Sequence, residues 1–193
     1  MTVSPMFAER VEAESRTAAL NAIRRLDWRF LLPDPSLGRV VYLGAAESSL
    51  LEALRVAGLS VIAVTDEIAQ SGRASFETAV AVAPSPDDLA LAATLLRPGG
   101  WLYAEVSGSP GAARRTAMLL RRAGFGAIQR HWHWPDFARC TRILPLDDAG
   151  ALVYGLGNGR GRMAALMVRG LAGSGLLPWL ARSVSLVAQR GHS

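Results

Sequence analysis

Two histidines stand two residues apart in the aromatic segment His131-Trp132-His133-Trp134. Residues i and i+2 of a β-strand project from the same face, so both imidazoles would point to one side of a sheet. Such a pair can act as a general base or contribute to a metal site. The same pattern also fits a strand end that packs beneath the following loop, or the wall of a substrate pocket. Because no third ligand stands nearby, the sequence predicts no metal site.

The single cysteine, Cys140, has no partner for an internal disulfide and no basic motif around it. It is typical of a small buried residue in a chain from a reducing compartment. The first residues lack a basic segment followed by an apolar stretch, so we expect no secretory signal and a cytoplasmic location. The most apolar stretch, 163–181, is interrupted by Arg169, Gly170 and Pro178, which argues against a membrane-spanning helix.

Charge is unevenly distributed along the chain. All 21 basic residues are arginine, and against 16 acids they give a formal net charge of +5. From Arg97 onward there are 13 arginines and 4 acids, so the basic excess lies in the second half. This half is expected to face an anionic acceptor or to contact an anionic membrane surface peripherally. The arginines stand singly or in pairs, which disfavours nucleic acid as a partner.

The elements that would position the histidines alternate between strands and helices. Short apolar runs indicate buried strands at 39–43, 60–65, 78–83, 101–106 and 127–132. Helical spacing or helix-start residues fall at 48–56, 89–96 and 112–123. This alternation is typical of an open, doubly wound α/β sheet, in which ligands bind at the carboxyl ends of the strands.

Three segments resemble motifs of class I S-adenosylmethionine-dependent methyltransferases. Val40-Val41-Tyr42-Leu43-Gly44-Ala45-Ala46 resembles the first motif of that family, Leu96–Leu102 its turn before the fifth strand, and Leu119–Phe125 the helix end before its sixth strand. They occur in the family's order. The resemblance implies a Rossmann-like methyltransferase sheet of about six strands with an antiparallel last strand, plus a helical cap.

A single methyltransferase-like domain over 1–193 is expected from this resemblance. Its parts are a helical region at 1–37, the Rossmann-like core at 38–134, a helical cap insertion at 135–182 and the terminal strand at 183–190. Since the family commonly inserts substrate-recognition structure before the last strand, 135–182 is predicted to be a mobile cap over the carboxyl ends of the strands.

The resemblance also implies a site for S-adenosylmethionine at the turn after the first strand. Gly44, Ala45 and Ala46 take the positions where small residues let the cofactor's amino acid moiety approach the backbone and a helix N-terminus. The family pattern is Gly-x-Gly-x-Gly, so Ala46 and Ser48 make this motif degenerate. The cofactor site could therefore have been lost.

Further cofactor contacts are expected at the ends of the next two strands. Thr65 stands where the family carries an acid for the ribose hydroxyls, and Asp66 is the residue expected to take that role, the alternative being an exposed turn acid. Pro84 is expected beside the cofactor at the following strand end. Only about a dozen residues separate Asp66 from the strand at 78–83, too few for the usual helix and third strand, so the cofactor lobe is predicted to be shortened.

The segment Ala83-Pro84-Ser85-Pro86 lacks the Asn or Asp and the aromatic residue that amino-methyltransferases of this family often carry. Methyl transfer to oxygen needs an in-line nucleophile and sometimes a general base, for which Glu105, His131 and His133 are the nearest candidates. We therefore expect methyl transfer to a small or lipid-linked acceptor at oxygen. The alternative is a methyltransferase-shaped protein that no longer uses the cofactor and serves as a binding or scaffold subunit.

Overall fold

The structure is a computed structural model that describes residues 24–45, 48–64, 73–157, 170–171 and 181–192. Its strands are β1 (Val40–Leu43), β2 (Val61–Ala63), β3 (Phe76–Val82), β4 (Leu96–Ser107), β5 (Phe125–Trp134), β6 (Arg142–Pro145) and β7 (Ser183–Arg190). Its helices are α1 (Ser49–Val56), α2 (Pro86–Leu95), α3 (Ala112–Arg122) and α4 (Ala149–Gly157), and a 3-10 helix spans Asp27–Leu31. The helix predicted at the very N-terminus lies outside the described residues.

The described strands form one sheet in the order β2-β1-β3-β4-β7-β5-β6. Strands β2, β1, β3 and β4 are mutually parallel, whereas β7 runs antiparallel to both β4 and β5. This confirms the predicted doubly wound α/β sheet with an antiparallel last strand. The sheet has seven strands where about six were expected. The additional strand, β6, pairs with β5 from inside the segment predicted to be a helical cap, and its four residues are too few to show a strand pattern in the sequence.

Apolar side chains of the strands alternate between two core layers. Val41, Ala104 and Leu186 belong to the layer that also contains the buried faces of α2 and α3. Val40 and Val187 belong to the other layer, which contains the buried face of α1 and the described N-terminal segment. Because side chains alternate along each strand, this second layer also receives the polar residues described below.

The segment Arg97–Gly100 was predicted to be a turn before a strand, but it lies inside β4. Phe76 of β3 pairs with Leu96, and Thr78 pairs with Trp101, so the chain bulges between the two pairs. Gly100 is required in this bulge, since a Cβ there would lie 2.9 Å from the carbonyl oxygen of Arg97. Gly100 therefore serves a bulge in a continuous strand and not the predicted turn.

Helix α2 begins with a capping box, in which Ser85 and Asp88 satisfy each other's backbone N–H groups. This places Pro86 in the first turn, as the sequence predicted. None of the helices in the described part of the chain combines the length and the apolar character needed to cross a membrane.

Candidate functional site

Most of the predicted site residues that the structure describes lie toward one edge of the sheet. Gly44 follows β1 and Pro84 follows β3, so both stand at the carboxyl ends of parallel strands. Glu105 lies near the end of β4, and His131 and His133 lie near the end of β5, which runs in the same direction. Three further predicted cofactor residues, Ala46, Thr65 and Asp66, lie outside the described residues.

Gly44 closely approaches the hydroxyl of Tyr42 at the end of β1. A Cβ at Gly44 would lie 2.9 Å from the Tyr42 Oη, so a side chain there would have to displace the phenol. The Tyr42 Oη is buried and has no hydrogen-bond partner among the described residues. Burial raises the pKa of the Tyr42 hydroxyl, and a hydrogen-bonding interaction with the nearby Ser48 side chain offsets part of that rise, although the two groups lie outside ordinary hydrogen-bond geometry. A buried hydroxyl that is so weakly satisfied, beside a turn that excludes a side chain, fits a polar ligand such as S-adenosylmethionine.

The turn after Gly44 leads directly into α1. Ala45 is exposed, and its carbonyl oxygen accepts a hydrogen bond from the Ser48 N–H. The Ser48 Oγ in turn accepts from the Leu50 N–H at 3.2 Å and caps the helix. One donor of the helix N-terminus is thus already satisfied by the protein, which leaves fewer free N–H groups for a cofactor carboxylate.

Glu105 is buried and fully engaged by two neighbours. Both terminal guanidinium nitrogens of Arg25 donate to its two carboxylate oxygens. The Tyr103 Oη donates to the Glu105 Oε1 at 2.9 Å, and the Tyr103 ring stacks on Trp28 with the ring centroids 3.9 Å apart. The Arg25 guanidinium also lies over the Phe137 ring, 5.3 Å from its centroid. This cluster joins the N-terminal segment to β4 and to the loop after β5.

The protonation states in this cluster follow from burial and charge. Burial acts to lower the pKa of Arg25, but the hydrogen bonds and the charge of Glu105 outweigh it, so the Arg25 pKa is raised. Burial also raises the pKa of Tyr103 well above its usual value, and the negative charge of Glu105 adds to that rise. The Tyr103 phenol therefore stays protonated as a donor to Glu105, and Arg25 stays charged.

His131 and His133 are both buried on the face that carries Glu105. The His133 Nε2 lies 2.9 Å from the Ser185 Oγ, and burial, with the charge of Arg25 and the neighbouring His131, lowers the His133 pKa to about 3. Burial also lowers the pKa of His131, against a smaller opposing effect of Asp147. The His131 Nδ1 is buried without a hydrogen-bond partner among the described residues. Both imidazoles are therefore neutral near pH 7.

A small cavity adjoins the Glu105 cluster at Arg25. It has a volume of about 210 Å³ and is lined by Arg24, Arg25 and residues 137–141 of the loop that follows β5. Cys140 lies in this lining and is partly buried, and burial raises the pKa of its thiol. Within the described ranges, no three His, Cys, Asp or Glu side chains converge as metal ligands would.

The sequence prediction did not include Arg25, Tyr103 or Tyr42 as site residues. Arg25 stands 80 residues away from Glu105 in the chain, so its pairing is a product of the fold. One available signal was the lone carboxylate of Glu105 within the apolar segment 101–106, because a buried charge requires a partner of opposite charge.

Comparisons with known proteins show which solved structures share this fold. No protein-family model matches the chain, and no curated protein sequence matches it significantly. A SAM-dependent methyltransferase from Archaeoglobus fulgidus is similar in structure, with a TM-score of 0.52 at 11% identity over 88% of this chain and 94% of that chain. Phosphoethanolamine N-methyltransferase 2 from Haemonchus contortus, solved with phosphomonomethylethanolamine and S-adenosylhomocysteine, has a TM-score of 0.50 at 10% identity over 90% of this chain and 53% of that chain. The chain thus has the fold of class I S-adenosylmethionine-dependent methyltransferases.

Proposed function

We propose that this protein is an S-adenosylmethionine-dependent methyltransferase that acts on an oxygen atom of a small acceptor. The observation that carries the proposal is the close approach of Gly44 to the buried Tyr42 Oη, which has no hydrogen bond of ordinary geometry among the described residues, at the strand end where this fold binds ligands. The bound cofactor would supply a methyl group on a positively charged sulfur. Gly44, Ala45 and Ala46 would hold its amino acid moiety, Asp66 its ribose with Thr65 beside it, and Pro84 would contact it from the next strand.

The cofactor lobe is proposed to be shortened relative to the family. Strand β2 ends at Ala63 and β3 begins at Phe76, so the connection between them is short. In the described part of the sheet, β2 is the edge strand, with β1 as its neighbour. This arrangement supports a cofactor pocket open on its adenine side, where Asp66 would supply the principal charge.

The three residues predicted to act as bases are proposed to have different roles. Glu105 positions Arg25 and Tyr103, because its oxygens are already occupied by their donors. The ring of His133 is held by Ser185 and forms part of the site wall. His131 is the candidate general base, since its neutral ring has a buried nitrogen without a partner in the described structure. His131 does not line the cavity beside Arg25, so it would take the proton of an acceptor hydroxyl there through one bridging water as the new oxygen–carbon bond forms and the sulfur–carbon bond breaks.

The acceptor is proposed to bind in the cavity beside Arg25. Its volume of about 210 Å³ lies below the usual range for drug-sized ligands, which favours a small acceptor over a lipid-linked one. Arg139 at its rim is paired with Asp136, whereas Arg24 makes no ion pair with any described residue. An arginine at the cavity without an ion pair among the described residues favours an acceptor that carries a carboxylate or another anionic group.

A turnover assay tests this proposal. The protein is incubated with S-adenosylmethionine and panels of small hydroxy acids and amino acids, and S-adenosylhomocysteine formation is measured by mass spectrometry. We expect product above the acceptor-free blank with at least one oxygen acceptor. Arg24→Met should lower turnover with that acceptor about tenfold or more through loss of a charged contact, whereas Arg55→Met on the exposed face of α1 should not. Faster methylation of amines would contradict the choice of oxygen.

The alternative of a cofactor-free scaffold subunit rests on one observation. Ser48 occupies a glycine position of the family motif and uses its side chain to cap α1. In a scaffold, this cap would simply complete the helix. A protein that binds neither S-adenosylmethionine nor S-adenosylhomocysteine would support this alternative, whereas one that binds both without turnover would point to an untested acceptor.

A further inference from the structure

A second and larger cavity opens at the opposite edge of the sheet, where β3 and β4 begin and β7 ends. Its volume of about 690 Å³ lies within the range of small-molecule sites in proteins. Small side chains of α2, including Ala90 and Ala93, form one wall. Three arginines, Arg73, Arg122 and Arg190, supply the charge of the remaining lining.

The charge of this cavity is not balanced by the described residues around it. The described lining contains no carboxylate, and none of the three guanidinium groups makes an ion pair or hydrogen bond within the described structure. The Arg190 Nη1 is buried and has no hydrogen-bond partner there. A buried guanidinium nitrogen without an acceptor is costly, so the site is incomplete unless an acceptor enters it.

We propose that this cavity binds the phosphate group of a small anionic ligand. A guanidinium donates two parallel hydrogen bonds to a phosphate, and three such groups around one concavity can neutralise its charge. The alanine wall leaves room for an uncharged remainder of the ligand. A concave site lined by three arginines suits a discrete molecule better than a flat membrane surface. Because the cavity lies at the amino ends of the parallel strands, it is separate from the site proposed for methyl transfer.

Calorimetric titration with pyrophosphate, without any methyl donor, tests this proposal independently of the proposed function. The parent protein is expected to bind pyrophosphate with a dissociation constant of about 1 mM or tighter. Arg190→Met keeps the apolar stem but removes the donors, and it should weaken binding at least about tenfold. Arg121→Met is the matched control, because it removes the same charge from the last turn of α3 without touching the cavity. It should change affinity less than about twofold.

Two further measurements complete the test. One separates an effect on folding from an effect on binding, and the other separates a soluble phosphate ligand from a lipid phosphate. Without ligand, Arg190→Met should unfold at the same temperature as the parent protein or above it, because the substitution removes a buried donor that has no acceptor. Pyrophosphate should raise only the parent's unfolding temperature. Adenosine monophosphate should bind more tightly than inorganic phosphate if the alanine wall contributes. No heat with any soluble phosphate, equal weakening by both substitutions, or Arg190-dependent binding to phosphatidic acid vesicles alone would overturn the proposal.

Discussion

Arg25→Ala is expected to lower the free energy of unfolding by about 3–5 kcal/mol, because it leaves the buried Glu105 carboxylate without its cationic partner. The Arg25 and Glu105 side chains are 10% and 3% exposed, so water replaces the lost contact poorly. The Tyr103 hydroxyl remains as a donor but carries no compensating charge. Urea denaturation near neutral pH, followed by tryptophan fluorescence, measures the change. Trp28, stacked on Tyr103, lies close enough to report on the cluster.

An exposed ion pair of the same chemistry provides the control. The Arg139 side chain is 81% exposed where it pairs with Asp136, so Arg139→Ala should cost less than about 1 kcal/mol. A second comparison removes both charges at once, since Arg25→Met combined with Glu105→Leu and Tyr103→Phe leaves no buried charge unpaired. That triple variant should recover much of the stability lost in Arg25→Ala. Equal costs for Arg25→Ala and Arg139→Ala would contradict the buried pair.

Acidification is expected to destabilise the protein through His133. Its pKa is about 3 in the folded protein and about 6.5 in an unfolded chain. The unfolded state therefore binds the proton first, and stability is complete above pH 6.5 and is lost as the pH falls toward 3. The loss is about 1.4 kcal/mol per pH unit in this window, or about 2 kcal/mol at pH 5. His131, whose pKa is also lowered, adds a loss in the same direction.

The substitution His133→Asn isolates this contribution. The asparagine amide is polar but does not titrate, so the slope of unfolding free energy against pH should fall by up to one proton between pH 6.5 and 4. His192 is exposed, and His192→Asn is the matched control for the loss of a histidine. Urea titrations at a series of pH values measure both. An unchanged slope in His133→Asn would mean that this imidazole is not held neutral by the fold.

The elements of the central sheet could be predicted from the sequence because each carries a local signal. Runs such as 39–43 and 101–106 are largely apolar, as buried parallel strands are. Ser85 and Asp88, three residues apart, mark the start of a helix. By contrast, β6 has only four residues and takes its strand conformation from pairing with β5. A local sequence pattern predicts a strand least well where pairing with a neighbouring strand decides the backbone conformation.

The candidate site could be predicted only in part for the same reason. Gly44, Glu105 and the two histidines follow from the position of strand ends, which topology brings to one edge. Their partners do not follow, because Arg25 and Ser185 reach the site from distant parts of the chain. Glu105 lies near the strand end where the sequence predicts it, but Arg25 binds its carboxylate. The proposed role of Glu105 therefore changes from general base to positioning residue.

Calorimetric titration with S-adenosylhomocysteine tests the central claim, that the turn at Gly44 is a cofactor site. The parent protein is expected to bind with micromolar to submillimolar affinity, or about −8 to −5 kcal/mol. Gly44→Val should abolish binding because its side chain would occupy the space beside the Tyr42 Oη. Gly126→Val is the control, since a Cβ at Gly126 meets nothing within 4 Å. Circular dichroism verifies that both variants are folded. No binding to the parent protein, or undiminished binding to folded Gly44→Val, would contradict the cofactor site.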